Sequence, residues 1–203
     1  MTSAGAARRV GIMGGTFDPI HFGHLRVAEE AREVLSLDEV IFVPAGNPSH
    51  KDGNITSAED RYEMTVLATQ GCQYFSVSRI ETDFSGKSYT LDTLRKLKTM
   101  PEYFGAEFYF ITGFDAVLDI MSWKQPEDII KLCKFIAVSR SGYSRETFKE
   151  LPENVKSSII IIEMPMLVIS STDLRRRIAE HKSIKYLLPE KVENYIREKG
   201  LYV

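Results

Sequence analysis

Two histidines three residues apart, His21 and His24, follow a pair of glycines, Gly14 and Gly15, near the beginning of the sequence. Glycines let backbone amides approach an oxyanion closely. Histidines at positions i and i+3 of a beginning helix lie on one side of it, beside amides that already favour negative charge. This spacing predicts a site for an anion such as a phosphate group.

A second candidate group occupies residues 169–175, which read Ile-Ser-Ser-Thr-Asp-Leu-Arg. A hydroxyl residue before a helix caps its first amides, and Arg175 falls in about the first turn, where its guanidinium can face the same anion. Capping alone explains one hydroxyl, and a solvated basic face explains Arg175, Arg176 and Arg177. Neither capping nor a solvated basic face explains why all of these residues occur together in a chain that has a second helix start suited to an anion.

The sequence also allows other interpretations. The two histidines would also serve as cap and packing residues, and their spacing would suit zinc. No cysteine accompanies them, however, and Asp18 is the only acidic residue nearby, so no metal site is predicted. Residues 85–88, Ser-Gly-Lys-Ser, resemble the end of a P-loop, but its opening glycine is replaced by Glu81. The first strand is not followed by G-x-G-x-x-G either, which argues against a dehydrogenase-type dinucleotide site.

Apolar runs of strand length alternate with helical stretches along the whole chain. Strands are predicted at 9–13, 39–44, 74–78, 107–112, 134–139 and 158–163. Helices are predicted at 23–35, 58–70, 90–98, 125–132, 171–181 and 189–199. This alternation predicts an α/β fold, a doubly wound parallel sheet with helices on both faces. We expect a single domain over residues 1–203, with a core of about 9–182 and a helical C-terminal segment, 183–203.

Composition narrows the class of protein. Hydrophobic residues make up 43% and charged residues 27% of the chain, as in ordinary globular proteins. The formal charge of −2 supplies no field that would hold nucleic acid, so a small anionic ligand is expected. Cys72 and Cys133 suggest buried thiols. No apolar run suits a signal peptide or a membrane span, so we expect a cytoplasmic location and no membrane partner.

Residues 14–24 resemble the H-x-G-H signature of the nucleotidyltransferase α/β superfamily, and residues 169–175 resemble the I-S-S-T-x-x-R motif of its adenylyltransferases. The resemblance implies a Rossmann-like fold of the nucleotidyltransferase type and catalytic contacts from His21, His24 and Arg175. It implies that Mg²⁺ is held mainly by the ATP phosphates. The ATP-binding residues that it implies are Gly14, Gly15, Thr16, Phe17, His21, Gly23, His24, Ile169, Ser170, Ser171, Thr172 and Arg175.

The middle of the chain resembles the nicotinate mononucleotide adenylyltransferase family in residues 48–51, 88–94 and 113–115, with Trp123 beyond them, and the resemblance runs from about Arg9 to Tyr202. The acceptor-binding residues that it implies are Lys51, Thr90, Gly113, Asp115, Trp123 and Arg140. Trp123 offers a flat face to a pyridine ring, and Thr90 at a helix start offers donors to its carboxylate. Ser49 and Ser141 depart from the family pattern.

The resemblance implies transfer of AMP from ATP to nicotinate mononucleotide. Three alternatives stay open: nicotinamide mononucleotide or phosphopantetheine as the acceptor, a nucleotide sensor without turnover, and a scaffold. The sequence leaves assembly into a homo-oligomer undecided.

Overall fold

The computed structural model of the chain describes residues 7–48, 55–139, 146–165 and 167–203. Within these ranges, six strands form one parallel sheet. They are Arg9–Gly15 (β1), Glu39–Pro44 (β2), Phe75–Val77 (β3), Glu107–Gly113 (β4), Cys133–Ser139 (β5) and Ile159–Glu163 (β6). All six strands predicted from the sequence are present, with ends that differ by at most two residues.

The strand order is β3-β2-β1-β4-β5-β6. The chain runs outward from β1 through β2 to β3, then returns to the other side of β1 and continues through β4 and β5 to β6. The winding direction therefore changes between β1 and β4. In open α/β sheets, ligands bind outside the carboxyl ends of the strands at such a switch point. The topology thus places the loop after β1 at the expected ligand crevice.

The described helices are Phe22–Val34 (α1), Ala58–Thr69 (α2), Thr90–Thr99 (α3), Phe114–Leu118 (α4), Pro126–Leu132 (α5), Glu146–Lys149 (α6), Glu153–Lys156 (α7), Ser171–Ala179 (α8) and Glu190–Lys199 (α9). Single 3-10 turns occupy Pro101–Tyr103 and Ile120–Ser122. The six predicted helices are all present. The sequence missed α4, α6 and α7, which span only four or five residues and are too short for a helical period to show.

Alternating strand residues pack into two hydrophobic cores, one on each face of the sheet. In β2, Val40 and Phe42 pack with α1, α2, α8 and α9, whereas Ile41 and Val43 pack with α3, α4, α5 and α7. Strands buried on both faces must be apolar at every position, which explains the unbroken apolar run of β2. The doubly wound architecture is confirmed. No helix among the described residues has the length and apolar character needed to span a membrane.

Candidate active site

The loop after β1 ends in the two histidines. His21 is the N-cap of α1, with extended backbone (φ −149°), and His24 lies three residues inside the helix. The imidazoles stack with their centroids 3.8 Å apart, and the His21 amide donates to Nδ1 of His24 at 3.2 Å. The predicted grouping of both rings on one side of the helix start is therefore present in the structure.

The side chain of His21 is only 5% exposed. This burial lowers the pKa of His21 to about 4, because the charged imidazolium would lose its hydration. Its Nδ1 is buried without a well-aligned hydrogen-bond partner among the described residues. At neutral pH, His21 is thus a neutral ring, and in the free protein it can offer an anion a hydrogen bond but no positive charge.

Phe17 packs against the ring of His24. Its ring is 2% exposed and meets His24 edge to face, with centroids 5.1 Å apart. It also contacts Phe42 of β2, and its backbone adopts a left-handed conformation (φ 51°). A buried ring cannot touch a ligand at the surface, so any contact between ATP and Phe17 would be through its main chain.

The second predicted group packs directly on this loop. Ser171 donates its hydroxyl to the Pro19 carbonyl at 2.8 Å, and Arg175 donates to the Asp18 carbonyl at 2.7 Å. Ser170 caps α8 by accepting from the Asp173 amide at 3.1 Å. The two segments, about 150 residues apart in sequence, therefore form one surface.

The remaining predicted ATP-site residues of this segment flank the same surface. Thr172 is exposed and its hydroxyl lies 3.5 Å from the Arg175 guanidinium, while Ile169 is half-buried. Gly23 lies under the His21 ring, where a Cβ would come within 2.9 Å of Nδ1 and 3.7 Å of the Leu167 carbonyl. Only glycine leaves room for the buried imidazole at this position.

A cleft of about 520 Å³ opens at the carboxyl ends of β1, β2 and β4. Three of its lining residues were predicted to bind ATP and two to bind the acceptor: Gly14, Gly15, Thr16, Thr90 and Trp123. The imidazoles and Arg175 are not among its lining residues. The loop of residues 14–24 therefore borders both the cleft and the histidine surface, and it joins them into one candidate site.

Trp123 is fixed in the cleft wall by two aromatic neighbours. Its indole meets Phe110 and Phe135 edge to face, with centroids 5.9 Å away in each case. Thr90 is the first residue of α3, where backbone amides are free of intrahelical partners. The cleft thus combines a rigid flat ring with a helix start, a pairing that suits an aromatic ligand with an anionic group.

Two predicted acceptor residues lie outside the cleft wall. Gly113 and Asp115 are exposed at the end of β4 and the start of α4, and neither lines the cleft. The cleft wall nearby is formed by Thr112, Ala116 and Asp119. Lys51 and Arg140 lie outside the described residues, as do Ser49 and Ser141.

The sequence analysis missed Arg61, which holds the site's loops together. Its side chain is 1% exposed and donates to four backbone carbonyls: Thr16 at 2.9 Å, Ala45 at 2.5 Å, Gly46 at 2.9 Å and Thr56 at 2.9 Å. These carbonyls belong to the loops after β1 and β2 and to the segment before α2. The available signal was its helical spacing from the apolar Met64, which placed an arginine on the buried face of α2.

Glu81 is a second residue that the sequence analysis missed. It lines the cleft and accepts a hydrogen bond from Thr93 at 2.6 Å. Burial raises the pKa of Glu81, against the opposing effect of its hydrogen-bond donors. It appeared in the sequence only as the residue that breaks a P-loop pattern, and nothing in that pattern pointed to a cleft.

Known proteins resemble this chain over most of its length. The cytidylyltransferase-like family matches residues 12–177. A relative from Moorella thermoacetica, named "probable nicotinate-nucleotide adenylyltransferase", is 52% identical over 201 residues, which cover 96% of this chain and 91% of the relative. A relative of the same name from a Thermoanaerobacter species is 47% identical over 201 residues, which cover 96% of this chain and 94% of the relative.

Solved structures show the same fold. The Plasmodium falciparum nicotinic acid mononucleotide adenylyltransferase complexed with NaAD superposes with a TM-score of 0.75 at 23% identity, covering 96% of this chain and 97% of its own. The same protein complexed with APC gives a TM-score of 0.73 over the same shares. At this level of identity, the likeness concerns the fold alone.

The fold and the joined helix starts define this chain as a nucleotidyltransferase of the cytidylyltransferase-like family. Within that class, it belongs to the nicotinate-nucleotide adenylyltransferase family, as its full-length relatives at 52% and 47% identity show. The resemblance seen in residues 14–24 and 169–175 is thereby confirmed.

Proposed function

We propose that this chain transfers AMP from ATP to nicotinate mononucleotide, giving nicotinate adenine dinucleotide and pyrophosphate in NAD biosynthesis. The observation that carries the proposal is the junction of the two helix starts through Ser171–Pro19 and Arg175–Asp18, beside a cleft that holds Trp123 and Thr90. A triphosphate at the junction and a pyridine nucleotide in the cleft would share the loop of residues 14–24. The cytoplasm is the proposed location.

The reaction requires alignment more than acid–base chemistry. A phosphate oxygen of the acceptor attacks the α-phosphorus of ATP, the bond between that phosphorus and the bridging oxygen breaks, and pyrophosphate leaves with the electron pair. The acceptor phosphate is ionised at neutral pH, so no protein base has to remove a proton. Catalysis therefore comes from in-line positioning and from stabilising the charge that develops on phosphate oxygens.

The proposed roles follow from the environment of each residue. Arg175 is partly exposed and supplies positive charge to the triphosphate. His24 and the neutral His21 donate hydrogen bonds, and the amides at the start of α1 add their dipole. Gly14, Gly15 and Thr16 allow phosphate oxygens to approach the main chain closely.

Mg²⁺ would enter with ATP. No group of three or more His, Cys, Asp or Glu residues within the described part of the chain is placed to hold a cation. We propose that the ligands of the ion come mainly from the triphosphate and water, as is usual for Mg²⁺. When bound, the ion would neutralise phosphate charge.

In the cleft, we assign Trp123 to stacking on the pyridine ring and Thr90 to its carboxylate. Gly113, Asp115, Lys51 and Arg140 stay predictions from the resemblance alone. Gly113 and Asp115 would need a ligand that extends past the cleft wall to reach them.

A direct test compares three acceptors with purified protein, ATP and Mg²⁺, by following pyrophosphate release. We expect nicotinate mononucleotide to give the highest kcat/KM, with nicotinamide mononucleotide and phosphopantetheine each lower by tenfold or more. A preference for either alternative would reassign the acceptor. No pyrophosphate release with any of them, despite measurable ATP binding, would favour a sensor over an enzyme.

A further inference from the structure

A buried carboxylate lies directly beneath the two helix starts. The side chain of Asp18 is 3% exposed, and none of the roles assigned above uses it. Its Oδ1 accepts from the hydroxyl of Tyr202 at 2.6 Å, and its Oδ2 lies 4.0 Å from the Arg175 guanidinium. A buried carboxylate needs strong donors, because its desolvation is costly. Tyr202 and Arg175 can both donate hydrogen bonds to the Asp18 carboxylate.

The turn after the C-terminal helix places Tyr202 beside Asp18. α9 ends at Lys199, and Gly200 takes a left-handed conformation (φ 59°), which turns the chain back so that the Leu201 amide bonds the Ile196 carbonyl at 3.0 Å. Burial and the hydrogen bond to Asp18 raise the pKa of Tyr202, so its phenol stays protonated and remains a donor. The bond thus joins positions 184 residues apart.

We propose that Tyr202 is a positioning residue of the ATP site, which satisfies Asp18 and so leaves the Arg175 guanidinium directed at the triphosphate. The inference rests on the proposed function, since it requires that Arg175 contacts ATP.

Removing the hydroxyl would change which group serves Asp18. The charge of Arg61 also acts on Asp18, but four of its five N–H groups already donate to backbone carbonyls. Arg175 stands 4.0 Å from Oδ2 and already donates to the Asp18 carbonyl. A movement of about 1 Å would bring it into a direct charged hydrogen bond, at about 2.8 Å. The guanidinium would then be held by Asp18 instead of the triphosphate.

The chain offers a matched control in the same C-terminal helix. Tyr195 donates to Oδ1 of Asp60 at 2.8 Å, which is the same kind of bond at a similar length. Asp60 lies in the first turn of α2, and its hydrogen bonds run to Ser57 and Tyr195. Tyr195→Phe therefore removes an equivalent hydroxyl without disturbing the proposed ATP site.

The experiment measures KM for ATP, KM for nicotinate mononucleotide, kcat and the calorimetric Kd for ATP in both variants. For Tyr202→Phe we expect KM and Kd for ATP to rise about tenfold, the scale of one charge-assisted hydrogen bond, while KM for the acceptor stays within twofold. Tyr195→Phe should keep all four values within twofold. Wild-type values for ATP in a folded Tyr202→Phe variant would overturn the inference.

Double variants separate positioning from general loss of stability. Asp18→Asn removes the negative charge that competes for Arg175, so Tyr202→Phe should have less than a twofold effect on ATP affinity in that background. In the Arg175→Ala background, its effect should vanish as well. A tenfold effect that persists in both backgrounds would mean that Tyr202 acts only on the fold. If wild-type protein binds ATP but forms no dinucleotide, the proposed function fails, whereas Kd for ATP still tests the inference.

Discussion

At the scale of the residue, the site depends on how burial changes ordinary side chains. His21 loses its charge because it is buried at the N-cap of α1, and Phe17 holds His24 in place with a ring that cannot reach a ligand. Arg175 remains partly exposed, and its donation to the Asp18 carbonyl uses only part of the guanidinium. Among His21, His24 and Arg175, we therefore expect Arg175 to carry the permanent positive charge.

Replacing His24 tests its proposed contact with ATP phosphates. His24→Ala should lower kcat by about a hundredfold, which is the usual cost of removing a preorganised donor from a transition state. Steady-state pyrophosphate release at saturating substrates measures it. His181→Ala, at an exposed histidine after α8, should keep kcat within twofold. An unchanged kcat in His24→Ala would contradict the role of His24.

The buried His21 should also make folding stability depend on pH. Its pKa is about 4 in the folded chain against an ordinary 6.5, so between these values the unfolded state binds a proton that the folded state does not. Stability is therefore highest above pH 6.5 and falls as the pH drops through this window. Between pH 7 and pH 5, the free energy of unfolding measured in urea should fall by roughly 2 kcal/mol more in the wild type than in His21→Gln. Parallel stability curves for the two proteins would refute this expectation.

The indole of Trp123 is expected to recognise the acceptor and not ATP. Trp123→Ala should raise KM for nicotinate mononucleotide by about tenfold, the scale of one lost stacking contact, and KM for ATP by less than twofold. Trp123→Phe keeps an aromatic face and should recover part of the acceptor affinity. Equal increases for both substrates in Trp123→Ala would exclude selective stacking.

At the scale of the element, the site is built where loops meet at one edge of the sheet. β1 and β4 are neighbours in the sheet, although β2, β3 and the helices α1 to α3 lie between them in the chain. This arrangement opens the crevice above β1. Ser171 then fastens α8 to the loop after β1. Arg61 does the same from α2, and it ties the loop after β1 to the loop after β2.

Arg61 should therefore contribute strongly to stability. Arg61→Met would leave four backbone carbonyls without their donor, and we expect the free energy of unfolding to fall by about 3 kcal/mol or more. Arg79→Met is the matched control, since Arg79 is partly exposed and pairs with Glu59 at the surface, where such pairs contribute about 1 kcal/mol or less. Urea unfolding by circular dichroism measures both. Equal small losses would show that the buried hydrogen bonds contribute little.

At the scale of the whole molecule, one sheet separates two cores, and helices from both halves of the chain cover each face. α8 and α9 pack with α1 and α2 on one face, so the C-terminal residues complete the core begun by the N-terminal ones. Such sharing favours a single cooperative unit over two independently folding parts. The boundary near residue 182 stays a prediction.

Cooperative unfolding tests this view. Trp123 is the only tryptophan and belongs to the core on the α3–α5 face, whereas far-ultraviolet circular dichroism reports on all helices. We expect the fluorescence and circular dichroism transitions in urea to coincide, as they do for a two-state domain. Two separated midpoints would indicate that the two layers unfold independently.

The sequence by itself determined the six strands, six of the helices, the doubly wound class and the position of the two candidate anion-binding segments. These features can be predicted because each depends on a local pattern: apolar runs, helical periods, and glycine, histidine and hydroxyl residues at fixed spacings. It also gave Trp123 and Thr90, through a family resemblance that likewise rests on contiguous residues. The family relationship is confirmed, whereas the individual site roles remain to be tested.

Only the tertiary structure decided what depends on contacts between distant parts of the chain. The burial of His21, the four carbonyls around Arg61, the cleft position of Glu81 and the bond from Tyr202 to Asp18 have no local signature. A side chain's charge and partners follow from its surroundings, and these are brought together by segments up to 184 residues apart. Sequence patterns therefore identified the candidate ligand-binding segments, and the packing of the fold determined how those segments are held.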